Sequence, residues 1–111
     1  MEIRPGMHVA RGSTTEWQDD PDVPGSTMHE LVHDGRIWAG MTRIDDAPEP
    51  TPWTPEQREI FVVLEGSVRI EFDDGGDVTV GVGDIGTIPA GMPTTWHVTT
   101  PFREAWVLVE A

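Results

Sequence analysis

Cysteine is absent from the sequence. Its absence excludes a disulfide-stabilised scaffold, a zinc site built on thiolates and a cysteine nucleophile. It does not identify the cellular compartment.

Basic side chains are scarce: 7 Lys or Arg residues stand against 20 Asp or Glu residues, which gives a net charge of −13. Repulsion from phosphate groups disfavours nucleic acid and anionic membrane surfaces as partners. Long apolar runs are also lacking, since none approaches the ~20 residues of a membrane-spanning helix. Residues 1–6 lack the basic and apolar blocks of a signal peptide, so we expect a cytoplasmic protein.

What the chain does contain is a pattern of short apolar runs. With 111 residues it has the length of one domain. Residues 59–96 hold four runs rich in Val, Ile and Phe, separated by Gly, Asp and Pro, which predicts antiparallel strands joined by tight turns. Apolar and charged side chains alternate in residues 68–72, which predicts one dry and one wet face. Residues 60–64 are apolar throughout, which predicts a strand covered on both faces.

The remaining segments complete an all-β domain. Residues 1–27 predict a strand and a surface loop that Trp17 anchors to the body. Asp34-Gly35 separates two β-rich runs and predicts a hairpin with a type I′ turn. Residues 45–57 carry four prolines and predict a loop without regular sheet. Residues 96–99 and 102–110 predict the closing strands, and no stretch predicts a helix of useful length.

Two motifs resemble those of the cupin superfamily. Glu59, six intervening residues and Gly66 match the second half of the first cupin motif, E-x6-G. Gly83, five residues, Pro89 and Gly91 match the opening of the second motif, G-x5-P-x-G. Between them these residues span the central stretch of the chain.

The resemblance implies a single-domain cupin, an all-β jelly-roll barrel of about nine or ten short antiparallel strands with little or no helix. Ile-Pro-Ala-Gly at residues 88–91, followed by Trp96, resembles the subgroup of ethanolamine-utilisation cupins. The resemblance places the cupin domain at residues 28–111, with residues 1–27 packed on the barrel, and it implies a homodimer. Because this fold hosts many activities, function must be argued from the site.

Most of the cupin metal ligands have no counterpart in this chain. The family takes an H-x-H pair three or four residues before the motif Glu, and those positions fall within residues 52–55, Pro-Trp-Thr-Pro. Its third His is replaced by Thr94. Only Glu59 remains, so we expect no metal cofactor, because transition metals prefer imidazole or thiolate. The alternative is a divalent metal ion held by Glu59 and His97.

Glu59 is the candidate for acid–base chemistry. The resemblance points it into the barrel, and strand alternation places Phe61 and Val63 on the same side. A carboxylate among apolar side chains resists ionisation, so its pKa should rise. That property suits a general acid or base near neutral pH. The alternative is a structural carboxylate satisfied by hydrogen bonds.

Trp53, Thr94 and Trp96 join Glu59 as the predicted ligand-binding residues. Trp53 and Thr94 occupy positions that the resemblance assigns to the metal site. Trp96 shares the inward face of its strand with Thr94, which directs His97 outward. An indole offers an apolar wall and one N–H donor to a small molecule.

The other indole and guanidinium groups have simpler explanations. We expect Trp38 and Trp106 to fill the barrel core. Arg58, Arg69 and Arg103 could bind an anionic substrate, but a solvated strand face accounts for them equally well.

Residues 29–33 match the zinc-peptidase motif H-E-x-x-H. That chemistry needs both His on one face of a helix, and Asp34-Gly35 would end any helix at once. We therefore expect a strand, with His29 and His33 on one face and directed towards water.

Together these residues favour a cupin that binds a small molecule in its barrel without the usual metal centre. The first alternative is a lyase, isomerase or hydrolase in which Glu59 transfers a proton. The second is an atypical metal-dependent enzyme that uses His97 beside Glu59.

Overall fold

The computed structural model describes residues 1–46 and 49–110, so Ala47 and Pro48 in the predicted 45–57 loop and Ala111 lie outside the described residues. Within these ranges the chain forms ten strands and no helix, which confirms the all-β prediction. No helix that could cross a membrane occurs among the described residues. The strands are β1 (Glu2–Arg4), β2 (Met7–His8), β3 (Gln18–Asp19), β4 (Thr27–His33), β5 (Ile37–Ile44), β6 (Thr51–Trp53), β7 (Arg58–Phe72), β8 (Asp77–Gly81), β9 (Ile85–Ile88) and β10 (Thr94–Val109).

Two long strands, β7 and β10, form the centre of the fold and pair antiparallel along almost their whole length. The first layer of the sheet consists, in spatial order, of β3, β4, β5, residues 102–109 of β10, residues 58–65 of β7, and β9. The second layer consists, in spatial order, of β6, residues 94–99 of β10, residues 67–72 of β7, and β8. β1 and β2 form a separate hairpin. One sheet therefore folds back on itself, and each long strand belongs to both layers.

The bend between the layers lies at Gly66. Its backbone has φ +76°, and a Cβ there would collide with the carbonyl oxygens of Thr99 and Pro101. The register of β10 against β7 shifts over Thr99–Arg103, opposite the same point. Glu65-Gly66 is therefore a bend inside one strand, and the predicted tight turn at this position is wrong.

The core fills the space between the two layers. Val63 and Phe102 of the first layer are almost completely enclosed, at 0% and 1% exposure, as is Val68 of the second layer, at 0%. The ring of Phe61 meets that of Trp96 with their centroids 5.2 Å apart, so aromatic contact joins one layer to the other.

The prediction that residues 60–64 are covered on both faces is wrong. Ile60 and Leu64 are 37% and 42% exposed, while Phe61 and Val63 between them are buried. The segment alternates like an ordinary half-buried strand, and its outer apolar side chains lie at the surface together with Ile85. The predicted homodimer stays a prediction.

The prediction that residues 45–57 contain no sheet is also wrong. Thr51–Trp53 pair with Thr94–Trp96 as β6. β6 lies at the edge of the second layer, and an edge strand tolerates Pro52 because the missing N–H can face away from its partner.

The Asp34-Gly35 hairpin is present, but its turn differs from the predicted one. Asp34 and Ile37 flank the turn, since the backbone N–H of Asp34 donates to the carbonyl of Ile37 at 3.1 Å. Gly35 has φ +89°, and no residue other than glycine has positive φ in the described chain, so Arg36 does not. Positive φ at the first central position alone is the pattern of type II′, whereas type I′ needs it at both.

We predict that Gly66→Ala destabilises the protein far more than Gly75→Ala. Both glycines have positive φ, but a Cβ at Gly75 meets nothing within 4 Å. Gly75→Ala should therefore lose about 1 kcal/mol from backbone strain alone. Gly66→Ala should lose about 2–5 kcal/mol because overpacking adds to that strain. Urea unfolding measures both, and equal losses would contradict the role of Gly66 at the bend.

Candidate active site

A cavity of about 100 Å³ lies between the two layers. Four of its walls are indole rings, contributed by β5, β6 and β10; they belong to Trp38, Trp53, Trp96 and Trp106. Trp106 belongs to the buried core and Trp38 packs against it, in agreement with the prediction, and both also line the cavity together with the two predicted indoles. The rings of Trp38 and Trp106 meet edge to face, with their centroids 5.3 Å apart.

Glu59 enters this cavity from β7. It is 4% exposed, and its Oε1 accepts a hydrogen bond from the Trp53 indole N–H at 2.6 Å. Burial raises the pKa of Glu59 to about 7, and the Trp53 hydrogen bond opposes part of that shift. The carboxyl group is therefore able to gain or lose a proton near neutral pH.

Glu104 is a second buried carboxyl group, which the sequence reasoning missed. It lines the same cavity from β10 and is 6% exposed. Its Oε2 has no hydrogen-bond partner within the described residues. Burial raises the pKa of Glu104 well above its ordinary value, and the charge of Glu59 adds to the shift. Glu59 is therefore not the lone carboxylate that the sequence suggested.

The position of Glu104 in its strand contained the missing signal. Phe102, Glu104, Trp106 and Leu108 are all buried and alternate with half-buried residues. A period of two along β10 therefore puts this carboxyl group in phase with large apolar side chains. Across the ladder Glu104 lies opposite Val63, four residues along β7 from Glu59.

Hydrogen bonds link the positions that the resemblance assigns to metal ligands. The Trp96 indole donates to Thr94 Oγ1 at 3.0 Å, and that hydroxyl donates to the Trp53 carbonyl at 2.6 Å. Trp53 in turn donates to Glu59. Thr94 is buried behind the cavity and does not line it, so its role is to hold the two indoles in place.

His97 and Glu59 do not come together. The His97 ring lies on the outer side of β10, with Nε2 3.3 Å from Glu71 Oε1. The described residues contain no group of three or more His, Cys, Asp or Glu side chains placed to hold a metal ion. The residues of this cavity therefore do not fit the metal site of a typical cupin.

His29 and His33 lie on opposite faces of β4, so the prediction that they share a face is wrong. His29 pairs with Met41 and its ring packs near Trp17, whereas His33 pairs with Trp38 and stacks on it with centroids 4.7 Å apart. The register shifts between Glu30 and Val32. A bulge at that point reverses the alternation of side chains.

Charge in the cavity has one sign. Four carboxylic side chains line it: Glu59 and Glu104 inside, and Asp20 and Asp22 from the loop between β3 and β4. No Arg or His appears among the described lining residues.

The three arginines considered as anion partners all have other contacts. Arg58 donates to Thr87, Arg69 pairs with Asp77, and Arg103 donates to the carbonyl of Gly12. None of the three lines the cavity.

Comparison with known families gives one match. Residues 47–106, more than half of the chain, match the family described as EutQ-like cupin domain. No curated protein matches the sequence.

Solved structures share the fold. A Salmonella typhimurium protein described as ethanolamine utilization protein Q is 24% identical, with a TM-score of 0.82 over 100% of this chain and 92% of that chain. An RmlC-like cupin from Shewanella frigidimarina is 19% identical, with a TM-score of 0.75 over 95% and 92%. The EutQ protein of Clostridium difficile is 24% identical, with a TM-score of 0.63 over 78% and 63%. These likenesses confirm the predicted jelly-roll fold.

We predict that Glu59→Gln removes part of the pH dependence of stability. A carboxyl group whose pKa is raised on folding binds its proton more tightly in the folded state. Its stabilising contribution is therefore lost as pH rises from the ordinary value of 4.5 through about 7. Between pH 5 and pH 8 the wild type should lose about 2 kcal/mol more unfolding free energy than the variant.

Urea unfolding at the two pH values measures this difference. Glu65→Gln is the matched control, since it makes the same change on the same strand at an exposed position. A Glu59→Gln variant with the pH dependence of the wild type would show that Glu59 is ionised in the folded protein throughout this range.

Proposed function

The chain belongs to the EutQ-like cupin domain family, and from this premise we propose that its barrel binds a small organic molecule between Glu59 and Glu104. The observation that carries the proposal is the unpartnered Oε2 of Glu104 inside a cavity. A ligand in this cavity would supply the missing partner.

The energetic cost of burying Glu104 Oε2 without a hydrogen bond supports this proposal. A buried polar atom without a hydrogen bond destabilises a protein by about 1–3 kcal/mol, and such atoms are frequent where a ligand or a catalytic step needs them. Glu104 could be replaced by an apolar residue in phase with Trp106 and Leu108 at lower cost. Its presence is explained if the carboxyl group contacts a ligand.

The size and lining of the cavity support a small ligand. A volume of about 100 Å³ is several times the ~10–15 Å³ that one water needs on this measure. Aromatic walls with a few convergent polar groups are typical of small-molecule sites. The four indoles supply the walls, and the two Glu carboxyl groups supply the polar contacts.

An enzymatic role is the second candidate, and the pKa of Glu59 at about 7 favours it. A carboxyl group with that pKa can act as general acid or base in a lyase, isomerase or hydrolase. Glu59→Gln separates the two roles, because it keeps an acceptor for Trp53 but cannot transfer a proton. A binding protein would bind its ligand more weakly as the variant and convert it in neither form. An enzyme would convert the ligand as the wild type and lose that turnover as the variant.

We predict that small molecules perturb the cavity indoles selectively. The chain has five tryptophans, and four of them line the cavity while Trp17 lies on the outer side of the sheet. Protein labelled with 5-fluorotryptophan should give five 19F NMR signals. Titration with a library of cationic, neutral and anionic fragments should shift the cavity signals and leave the Trp17 signal in place.

The Trp17 signal is the internal control for non-specific effects. A library in which no compound moves the four cavity signals, or in which every active compound also moves Trp17, would overturn the proposed function.

A further inference from the structure

Apart from a carboxyl proton of Glu59 or Glu104, the cavity has almost no free hydrogen-bond donor. All four of its indole N–H groups already have acceptors: Trp38 donates to Glu30 at 3.1 Å, Trp53 to Glu59 at 2.6 Å, Trp96 to Thr94 at 3.0 Å and Trp106 to Thr42 at 2.8 Å. The lining hydroxyls of Ser26 and Thr51 donate to backbone carbonyls. Thr42 accepts a hydrogen bond and keeps one proton of its own. The unmet demand in the cavity is for a donor, because Glu104 Oε2 has none.

The charge of the lining selects the sign of a ligand. Asp20, Asp22, Glu59 and Glu104 face the cavity or its rim, and the described lining residues include no cation. The rim carboxylates of Asp20 and Asp22 attract cations and repel anions, and Glu59 adds to that field when it is ionised. A carboxylate or phosphate ligand would find no opposite charge in the described lining.

The indole rings present their faces to whatever fills the space. Because their N–H groups are occupied, what remains is apolar surface and the negative face of the ring, which attracts a cation. The protein uses this interaction elsewhere, since the guanidinium groups of Arg43 and Arg103 lie 5.8 Å and 6.0 Å from the centre of the Trp17 ring.

We propose that the ligand of this cavity is a small protonated primary or secondary amine, whose N–H groups donate to Glu104 and Glu59 while the indole faces surround its carbon atoms. This inference rests on the proposed function and adds the chemical class of the ligand. A quaternary ammonium ion fits less well, because it carries no N–H for Glu104 Oε2.

Binding of the amine releases a proton. Burial raises the pKa of both carboxyl groups, that of Glu59 to about 7, so near neutral pH Glu59 can hold a proton that an ammonium ion would displace. An ammonium ion favours the ionised carboxylate, and the displaced proton leaves to solvent, so charge and atoms balance. Asp20 and Asp22 are the other titratable groups that face the cavity, and the described lining residues of β4, β5 and β6 add none.

The test uses four probes. Three have similar size and different charge: n-propylammonium chloride, 1-propanol and sodium propanoate. The fourth, tetramethylammonium chloride, is a cation without an N–H group. The 19F signals of the cavity indoles report binding at pH 7.5. We expect n-propylammonium to bind at least about tenfold more tightly than 1-propanol, because hydrogen bonds to charged groups are the stronger ones. Propanoate should not bind, and tetramethylammonium should bind more weakly than n-propylammonium.

Variants locate the interaction. Glu104→Gln should weaken n-propylammonium binding at least about tenfold and leave 1-propanol unchanged. Glu71→Gln is the control, with the same change in net charge outside the cavity. Asp22→Asn changes an exposed rim residue without threatening the core and should weaken only the amine, by about twofold, through the field at the cavity mouth.

Calorimetry in two buffers of different ionisation enthalpy measures the proton. We expect release of up to one proton per n-propylammonium bound, and affinity that falls by up to about tenfold per pH unit below pH 7. Binding without proton release at pH 7 would overturn the coupling.

The outcomes separate the two proposals. Binding of 1-propanol or propanoate in preference to the amine would overturn the amine inference and leave the proposed function intact. Amine binding that Glu104→Gln and Asp22→Asn do not weaken would also overturn the inference. Failure of all probes and of the wider fragment library to move the cavity signals would overturn both.

Discussion

The paired bend of β7 and β10 is the constraint on which the rest of the structure depends. Gly66 lies so close to the carbonyl oxygens of Thr99 and Pro101 that no side chain fits between the strands there. The two strands remain paired on both sides of this point. A single sheet can therefore turn back on itself without losing its central ladder, and the space between its two halves becomes a core and a cavity.

The same bend assembles the candidate site from distant parts of the chain. Glu59 and Glu104 belong to the first layer, one on each long strand, while Trp96 belongs to the second. Phe61 and Trp96 make the contact that holds the layers together next to the cavity. The side chains that could meet a ligand are thus fixed by the sheet itself, and a rigid arrangement of this kind lowers the entropic cost of binding.

The cavity has features that a purely structural core would avoid. Two carboxyl groups are buried among four indole rings, one of them without a partner for its Oε2. Local rules of packing and hydrogen-bond satisfaction are broken most often at functional sites. All four cavity indole N–H groups find acceptors, so Glu104 Oε2 is an exception within its own surroundings. The other buried polar atom without a partner among the described residues, Arg103 Nε, does not line the cavity.

Chemical change at the metal-ligand positions explains how the cupin fold could change its ligand. In place of imidazoles the chain has Trp53 and Thr94, and these residues form a hydrogen-bonded series that runs from Trp96 to Glu59. The series consumes indole donors and leaves ring faces and carboxylate oxygens exposed to the cavity. The proposed amine ligand rests on these ring faces and carboxylate oxygens.

Much of the fold and part of the site could be predicted from local patterns. Alternation and turn residues gave the all-β class, and the two spaced motifs gave the family and the inward direction of Glu59. Single-residue irregularities could not be predicted in this way. The bulge in β4 that separates His29 from His33 and the bend at Gly66 that merges two runs into β7 depend on pairing with other strands.

The sequence by itself determined the all-β class, most of the strands and the inward direction of Glu59, because side-chain period and turn chemistry act over a few neighbouring residues. Only the tertiary structure decided that Glu104 faces the cavity that contains Glu59, that Pro52 lies in an edge strand and that His29 and His33 lie on opposite faces of β4. These facts depend on which strands become neighbours and on where a bulge shifts their register. Such pairings join residues far apart in the chain, beyond the range over which a local pattern carries information.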